Sequence, residues 1–140
     1  MTYEEKKAWL WRYRTAKRFE VLRLDELAAL EAQARHMTPR YSAAAGGGSD
    51  GQALPRAVER IDAAYQAAQA QAQVCDSIRG QIMEVLARLD NEVDFMILFR
   101  RYILLEGWDQ IADHVRMTKR WVYTRHRNAV DRLEISTEKH

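Results

Sequence analysis

Cationic and aromatic side chains are concentrated in residues 116–132, which hold six basic residues and one acidic residue. Trp121, Tyr123 and the hydroxyl groups of Thr118 and Thr124 are interleaved with these charges. Arginine and lysine bind phosphate groups, and arginine and threonine also contact the edges of nucleic-acid bases. The chemistry that this set predicts is binding of a polyanion, and of nucleic acid in particular.

The first element that must position these residues is a short helix predicted over residues 108–115. Its apolar residues share one face: Ile111, Ala112 and Val115. A three-residue turn, 116–118, follows this helix. Ala112 is small enough to let a second helix cross closely, and Met117 is expected to fill the corner between the two helices.

Thr118 is suited to cap a second helix over about residues 118–134, because its hydroxyl can accept a hydrogen bond from the first turn. The residues expected to be buried recur at spacings of four, three and four positions: Val122, His126, Ala129 and Leu133. The opposite face then carries the predicted DNA-binding residues Thr118, Lys119, Arg120, Tyr123, Thr124 and Arg127. This pattern is typical of a helix-turn-helix that places its second helix in the major groove.

Each side chain of that outward face has a chemistry suited to duplex DNA. Arg120 is expected to bind guanine N7 and O6 through two hydrogen bonds. Tyr123 or Thr124 is expected to contact a thymine methyl group or a phosphate, and Lys119 and Arg127 to neutralise backbone charge. The alternative is that these residues solvate the exposed face of a terminal helix.

The rest of the chain predicts an all-α protein, because helix breakers are few. Residues 3–36 contain no glycine or proline and predict one long helix, and residues 37–52 predict a glycine-rich loop. A seven-residue apolar repeat from Ile61 to Leu89 predicts a second long helix. The two helices are expected to form an antiparallel hairpin, and pairing of this arm in a homodimer is a further hypothesis.

A third helix is predicted over residues 91–105, with Glu92 and Asp94 in its first turn, where carboxylates complement the helix dipole. The expected fold is therefore a long helical hairpin followed by a C-terminal helix-turn-helix. The sequence predicts two domains, a hairpin arm over residues 1–89 and a DNA-binding domain over residues 90–140.

Residues needed for catalysis or metal binding are not grouped along the sequence. Cys75 lies in the seven-residue repeat without a definable histidine partner, and His114 and His126 have no close cysteine or histidine pair. We therefore expect no enzyme activity, no metal and no cofactor. The longest apolar run is far shorter than the roughly 20 residues that cross a bilayer, and the first residues are charged, unlike a signal peptide. The expectation is a cytoplasmic protein of a bacterial host, associated with the nucleoid.

Three segments resemble a group of phage proteins: residues 101–103 (RYI), residues 108–112 (WDQIA), and the set Val122, Tyr123, His126 and Ala129. They resemble the phage-encoded small proteins of the sigma-70 region 4-like class, which includes late transcription regulators of the ArpU and RinA types. The helical arm and the glycine-rich loop resemble the same group. The resemblance implies a C-terminal helix-turn-helix bound to promoter DNA, with RNA polymerase as a second partner for some members.

Two positions depart from the pattern of that class. Arg116 occupies a turn position usually held by glycine, and Arg125 stands where an aliphatic core residue is usual. Arg116 must therefore adopt the turn conformation at some strain, or the turn is remodelled.

The function that the sequence predicts is specific binding of double-stranded DNA by a phage or prophage transcription regulator. Two alternatives stay open. A DNA-packaging subunit of the small-terminase kind also combines a helix-turn-helix with helical oligomerisation. A protein-binding adaptor of RNA polymerase would use the basic helix without affinity for DNA, and steep loss of affinity with salt would distinguish a DNA binder from it.

Overall fold

All the regular secondary structure in the described residues is helical, which confirms the all-α fold class. The computed structural model describes residues 1–43 and 51–136, with side chains described over 1–36 and 51–136. Six helices and no strand occur in those ranges: α1 (Tyr3–Leu10), α2 (Arg12–Ala43), α3 (Ala53–Leu86), α4 (Glu92–Tyr102), α5 (Trp108–Val115) and α6 (Lys119–Arg132). None of these helices, over the described residues, is long and apolar enough to cross a membrane.

The long helix predicted over residues 3–36 is present and is bent at Trp11, where α1 ends and α2 begins. Thr2 caps α1, because its hydroxyl accepts a hydrogen bond from the Glu5 N–H while the Glu5 carboxylate accepts one from the Thr2 N–H. At the break, the Arg12 side chain donates to the carbonyl of Trp9 at 3.0 Å. Such a hydrogen bond from a side chain to a helix-end carbonyl does not change the spacing of apolar residues, so that spacing cannot predict it.

The predicted loop over residues 37–52 is partly helical, because α2 continues to Ala43. The prediction is wrong for residues 37–43, which belong to α2 although a proline such as Pro39 is unfavourable inside a helix. Residues 44–50 of that loop lie outside the described residues. α3 begins at Ala53, so Pro55 lies in its first turn, as expected.

One face of α3 is buried along the predicted repeat. Its buried residues on this repeat are Ala57, Ala64, Ala68, Cys75, Ile82 and Val85, Leu86 beside them is also buried, and Ile61 and Ile78 are half-buried, as is Leu89 just beyond the helix. The burial of Cys75 agrees with its interpretation as a small apolar residue. The antiparallel pairing of this helix with α2 stays a prediction, as does pairing of the arm between two copies.

The described chain divides into two compact units. The first unit contains Met1–Ala16 and the residues from Cys75 onward, and the second contains Lys17–Val74. This division differs from the predicted boundary between residues 89 and 90. The reason is that α1 and the last turns of α3 contribute to the same core as α4, α5 and α6.

Large side chains fill the core of the first unit. Its fully buried apolar members are Leu10, Ile82, Leu86, Ile97, Leu98, Tyr102, Ile111, Val122, Ala129 and Val130. Each buried leucine, isoleucine or valine contributes about 1.5–3 kcal/mol relative to exposure. This core is the support on which the outward face of α6 is presented.

Candidate nucleic-acid interface

A sharp turn joins α5 to α6, as predicted. Arg116 has φ 58° and ψ 45°, the left-handed conformation, and its N–H donates to the carbonyl of Ala112. A residue with a side chain adopts this conformation at a cost of about 1 kcal/mol, which is the strain expected for an arginine in place of glycine. Met117 is 48% exposed, so the prediction that it fills the corner is wrong. Ile111, Ala112 and Val122, which lie on regular helix faces, are buried in the shared core instead.

The two faces of α6 differ as the sequence predicts. Thr118 caps the helix, because its hydroxyl accepts a hydrogen bond from the Trp121 N–H at 3.1 Å. The residues predicted to be buried are all buried: Val122, His126, Ala129 and Leu133. The predicted DNA-binding residues are all exposed: Thr118, Lys119, Arg120, Tyr123, Thr124 and Arg127. Exposure of this face is therefore confirmed, and its binding to DNA stays a prediction.

Five side chains from α5 and α6 line a shallow groove of about 510 Å³: Trp108, Lys119, Arg120, Tyr123 and Thr124. The rings of Trp108 and Tyr123 lie 5.1 Å apart between centroids and give the groove an apolar lining. Lys119 contacts Asp109 at 3.1 Å, but both side chains are largely exposed, so water and salt weaken this pair. The groove therefore combines an apolar lining with cationic side chains. An anion that binds Lys119 more strongly than Asp109 does can replace Asp109.

Thr124 and Arg127 have local contacts that the sequence did not predict. The Thr124 hydroxyl donates to the carbonyl of Arg120 at 3.1 Å, which leaves its oxygen able to accept a further hydrogen bond. The Arg127 guanidinium lies 4.3 Å from the ring centroid of Tyr3 in α1 and 3.9 Å from the carboxylate of Asp131. Arg127 is thus held against α1 and is less free to reorient than Arg120.

α1 packs along α6 and supports it from the side. The Lys6 ammonium donates to the carbonyl of Asp131 at 2.6 Å, and the ring of Tyr3 lies edge-on to His126. Nothing in the sequence of α1 distinguishes this contact from an ordinary exposed first turn. The structure therefore adds residues of α1 to the predicted interface region.

His126 is buried beneath the outward face and is a packing residue, as expected. Its Nε2 lies 2.7 Å from the Tyr102 hydroxyl, and its ring meets Trp108 edge-on at 4.8 Å. Burial, followed by the positive charges of Arg101 and Lys7, lowers the pKa of His126 to about 3. The imidazole is therefore neutral at physiological pH, and it stabilises the core by packing and not by its charge.

Asp94 is a residue whose main role the sequence did not reveal. It lies in the first turn of α4, as predicted, but its carboxylate is fully buried and binds two arginines of α6. Arg125 Nη2 lies 2.7 Å from one carboxylate oxygen, and Arg132 binds the other. This contact explains why Arg125 stands at a position where an aliphatic residue is usual. One signal in the sequence could have indicated this contact. Asp94 and Arg125 each lie at a position of their helix where the spacing predicts a buried apolar residue.

Comparison with known proteins identifies no family for this chain. No protein-family model matches it, and comparisons with curated proteins and with solved structures find no match either. No group of three or more histidine, cysteine, aspartate or glutamate side chains in the described residues is arranged to hold a metal ion. The resemblance to the phage proteins therefore rests on the residues quoted for it and stays an expectation.

Proposed function

We propose that this chain binds double-stranded DNA in a sequence-specific manner, through a helix-turn-helix of the sigma-70 region 4-like kind formed by α5, residues 116–118 and α6. α6 enters the major groove, and the protein acts as a transcription regulator of a phage or prophage. The observation that carries the proposal is the division of α6 into a face sealed in the core and a face with exposed cations, aromatics and hydroxyls.

The N-terminal end of α6 is suited to approach the polyanion. Its first turn contains Lys119 and Arg120 and no acidic residue. The helix dipole and the free N–H groups of a first turn attract phosphate, and no carboxylate within this turn opposes that attraction. Thr118 already accepts from Trp121, so the cap stays formed while the remaining N–H groups face the ligand.

Arg120 is the residue best placed to read a base. Its side chain lines the groove beside Tyr123 and Thr124, and its guanidinium has no ion-pair partner among the described residues. A guanidinium can donate two parallel hydrogen bonds to guanine N7 and O6. The apolar lining between Trp108 and Tyr123 suits a thymine methyl group at a neighbouring base pair.

The proposal is tested by selecting genomic DNA fragments with the purified protein and measuring their affinities for two variants. Arg120→Ala is expected to cost about 1–3 kcal/mol on the selected sequence and to relax preference at one base position. Lys119→Ala is expected to weaken all sequences alike, because it removes a phosphate contact. Arg79→Ala, which changes an exposed arginine of α3, is the matched control.

Two results would contradict the proposal. The first is a selection that enriches no sequence while the protein binds no duplex at low salt. The second is an Arg120→Ala variant with the same preference as the Arg79→Ala control, since base readout by α6 predicts that these two variants differ.

A further inference from the structure

Arginines and aromatic rings alternate in a row that leads away from the α6 groove. The row contains Arg14, Trp11, Arg101, Trp108 and Tyr123, in that order. The Arg14 guanidinium lies 3.7 Å from the Trp11 ring, and Arg101 lies 5.0 Å from Trp11 and 4.1 Å from Trp108. Trp108 and Tyr123 at the end of the row also line the groove. We call these five residues the cation–aromatic row.

The two arginines of the row lack the acidic partners that some other arginines of the first unit have. Arg100 binds the Glu106 carboxylate and Arg125 binds Asp94. No carboxylate of the described residues lies within ion-pair distance of Arg14 or Arg101, and the Nε atom of each is buried without a hydrogen-bond partner. Arg101 donates from Nη1 to the backbone carbonyl of Glu106 at 3.1 Å. The row therefore holds two positive charges that the described protein does not neutralise.

The neighbouring charges in the row disfavour each other. Burial, followed by the positive charge of Arg14 among the smaller influences, lowers the pKa of Arg101. Arginine stays charged in proteins, so the repulsion is relieved by an anion and not by loss of a proton. Stacking on tryptophan occupies the flat face of a guanidinium and leaves N–H donors in its plane for a phosphate.

We propose that Arg14 and Arg101 form a phosphate-binding site for the DNA backbone that flanks the α6 groove. This inference rests on the proposed function, because the row reaches the DNA only if α6 lies in the major groove. The continuity of the row with Trp108 and Tyr123 favours DNA over a separate acidic protein as the occupant. The stacked arginines act as a preorganised clamp that contributes affinity and no sequence preference.

The test is the salt dependence of binding to a duplex that contains the selected sequence and to an unrelated duplex. Each phosphate contact contributes about one unit to the slope of log affinity against log salt. The double variant Arg14→Gln/Arg101→Gln is expected to lower that slope by about two on both duplexes and to keep the base preference of the wild type. Arg79→Gln, with exposed Arg79 changed in the same way, is the control and keeps the wild-type slope.

A second double variant covers the case in which the glutamine variant fails to fold. Arg14→Lys/Arg101→Lys keeps both charges but loses the planar fork, so it is expected to keep the slope and to lose affinity on both duplexes alike. Full wild-type affinity of this variant would refute the proposal that the guanidinium groups of Arg14 and Arg101 bind phosphate.

The outcomes separate the two proposals. If the wild-type protein binds duplex DNA and the glutamine variant shows the same salt slope, only the phosphate-binding site of Arg14 and Arg101 is refuted. The row would then be a surface for an acidic protein. A wild-type protein that binds no duplex overturns the clamp together with the proposed function.

Discussion

The two units of the chain bury different kinds of side chain. The first unit buries leucine, isoleucine, valine and tyrosine around α6, whereas the second buries alanines at positions 57, 64 and 68 of α3. Large apolar residues of the second unit are instead exposed: Phe19, Val21, Leu22, Leu24, Val58, Tyr65 and Val74. Interlocking large side chains fix the geometry of a helix more firmly than alanine contacts do. The comparison shows that the unit with the candidate interface is also the unit whose core consists of large, interlocking side chains.

The largest difference in stability between the two units is expected when a leucine in each is changed to alanine. Leu98→Ala removes a fully buried side chain of the first unit, and is expected to lower the free energy of unfolding by about 2–5 kcal/mol. Leu22→Ala changes a leucine of the second unit that is 60% exposed, and is expected to change stability by less than about 0.5 kcal/mol. Urea unfolding followed by circular dichroism measures both. Equal losses in the two variants would remove the contrast.

The next effect concerns the ion pairs of the two units. Asp94→Asn removes the charge of the fully buried carboxylate that binds Arg125 and Arg132, and is expected to cost about 2–3 kcal/mol because both arginines lose their anionic partner. Glu26→Gln breaks the exposed pair with Arg23 in the second unit, and is expected to cost at most about 0.5 kcal/mol. Thermal and urea unfolding of both variants test this order. A cost for Asp94→Asn no larger than that for Glu26→Gln would show that the buried contact does not hold α6.

A pH effect of about 2 kcal/mol is expected from His126 in the first unit. Its pKa is lowered to about 3 in the folded protein, so below pH 6.5 the unfolded chain binds a proton that the folded protein does not. Stability therefore rises with pH between about 3 and 6.5 and is flat above, and lowering the pH from 7 to 5 costs about 2 kcal/mol from this residue. Urea unfolding at both pH values measures the loss.

Two histidine variants assign that pH effect. His126→Gln is expected to abolish this part of the difference between pH 7 and pH 5. His36→Gln, which changes an exposed histidine of the second unit, is expected to leave it intact. If both variants kept the full pH dependence, a group other than His126 would be responsible.

The smallest effect is expected to have opposite signs in the two units. Arg116→Gly relieves a left-handed backbone and is expected to stabilise the first unit by up to about 1 kcal/mol. Arg18→Gly places glycine inside α2 in the second unit and is expected to destabilise it by about 0.5–1 kcal/mol. Midpoints of thermal unfolding report the sign directly. Destabilisation by both substitutions would mean that the Arg116 side chain contributes more than its backbone conformation costs.

The local parts of this structure were predictable from the sequence, and the long-range parts were not. The spacing of Val122, His126 and Ala129 and the capping hydroxyl of Thr118 predicted the buried face and the first turn of α6, because these are properties of one helix. The contact of Asp94 with Arg125 joins different helices, and no spacing within either helix encodes it. The same reason applies to the cation–aromatic row, whose members come from the junction of α1 and α2 and from α2, α4, α5 and α6.

The bend at Trp11 has no signal in helix propensity, since the sequence on both sides of the hydrogen bond from Arg12 to Trp9 favours helix. Threonine, proline and serine in residues 37–43 are typical of a loop, although α2 continues to Ala43. Apolar periodicity reports which face of a helix is buried, and it reports poorly where that helix ends.

The contact between α1 and α6 has a consequence for how the protein is made. Lys6 and Asp131 touch although 125 positions separate them along the chain. On the ribosome, α1 emerges long before α6, so the Tyr3 side of α1 stays exposed until Asp131 has also left the ribosome. Non-local closure of this kind is slow compared with helix formation. The contact between α1 and α6 therefore forms later than the local structure of either helix.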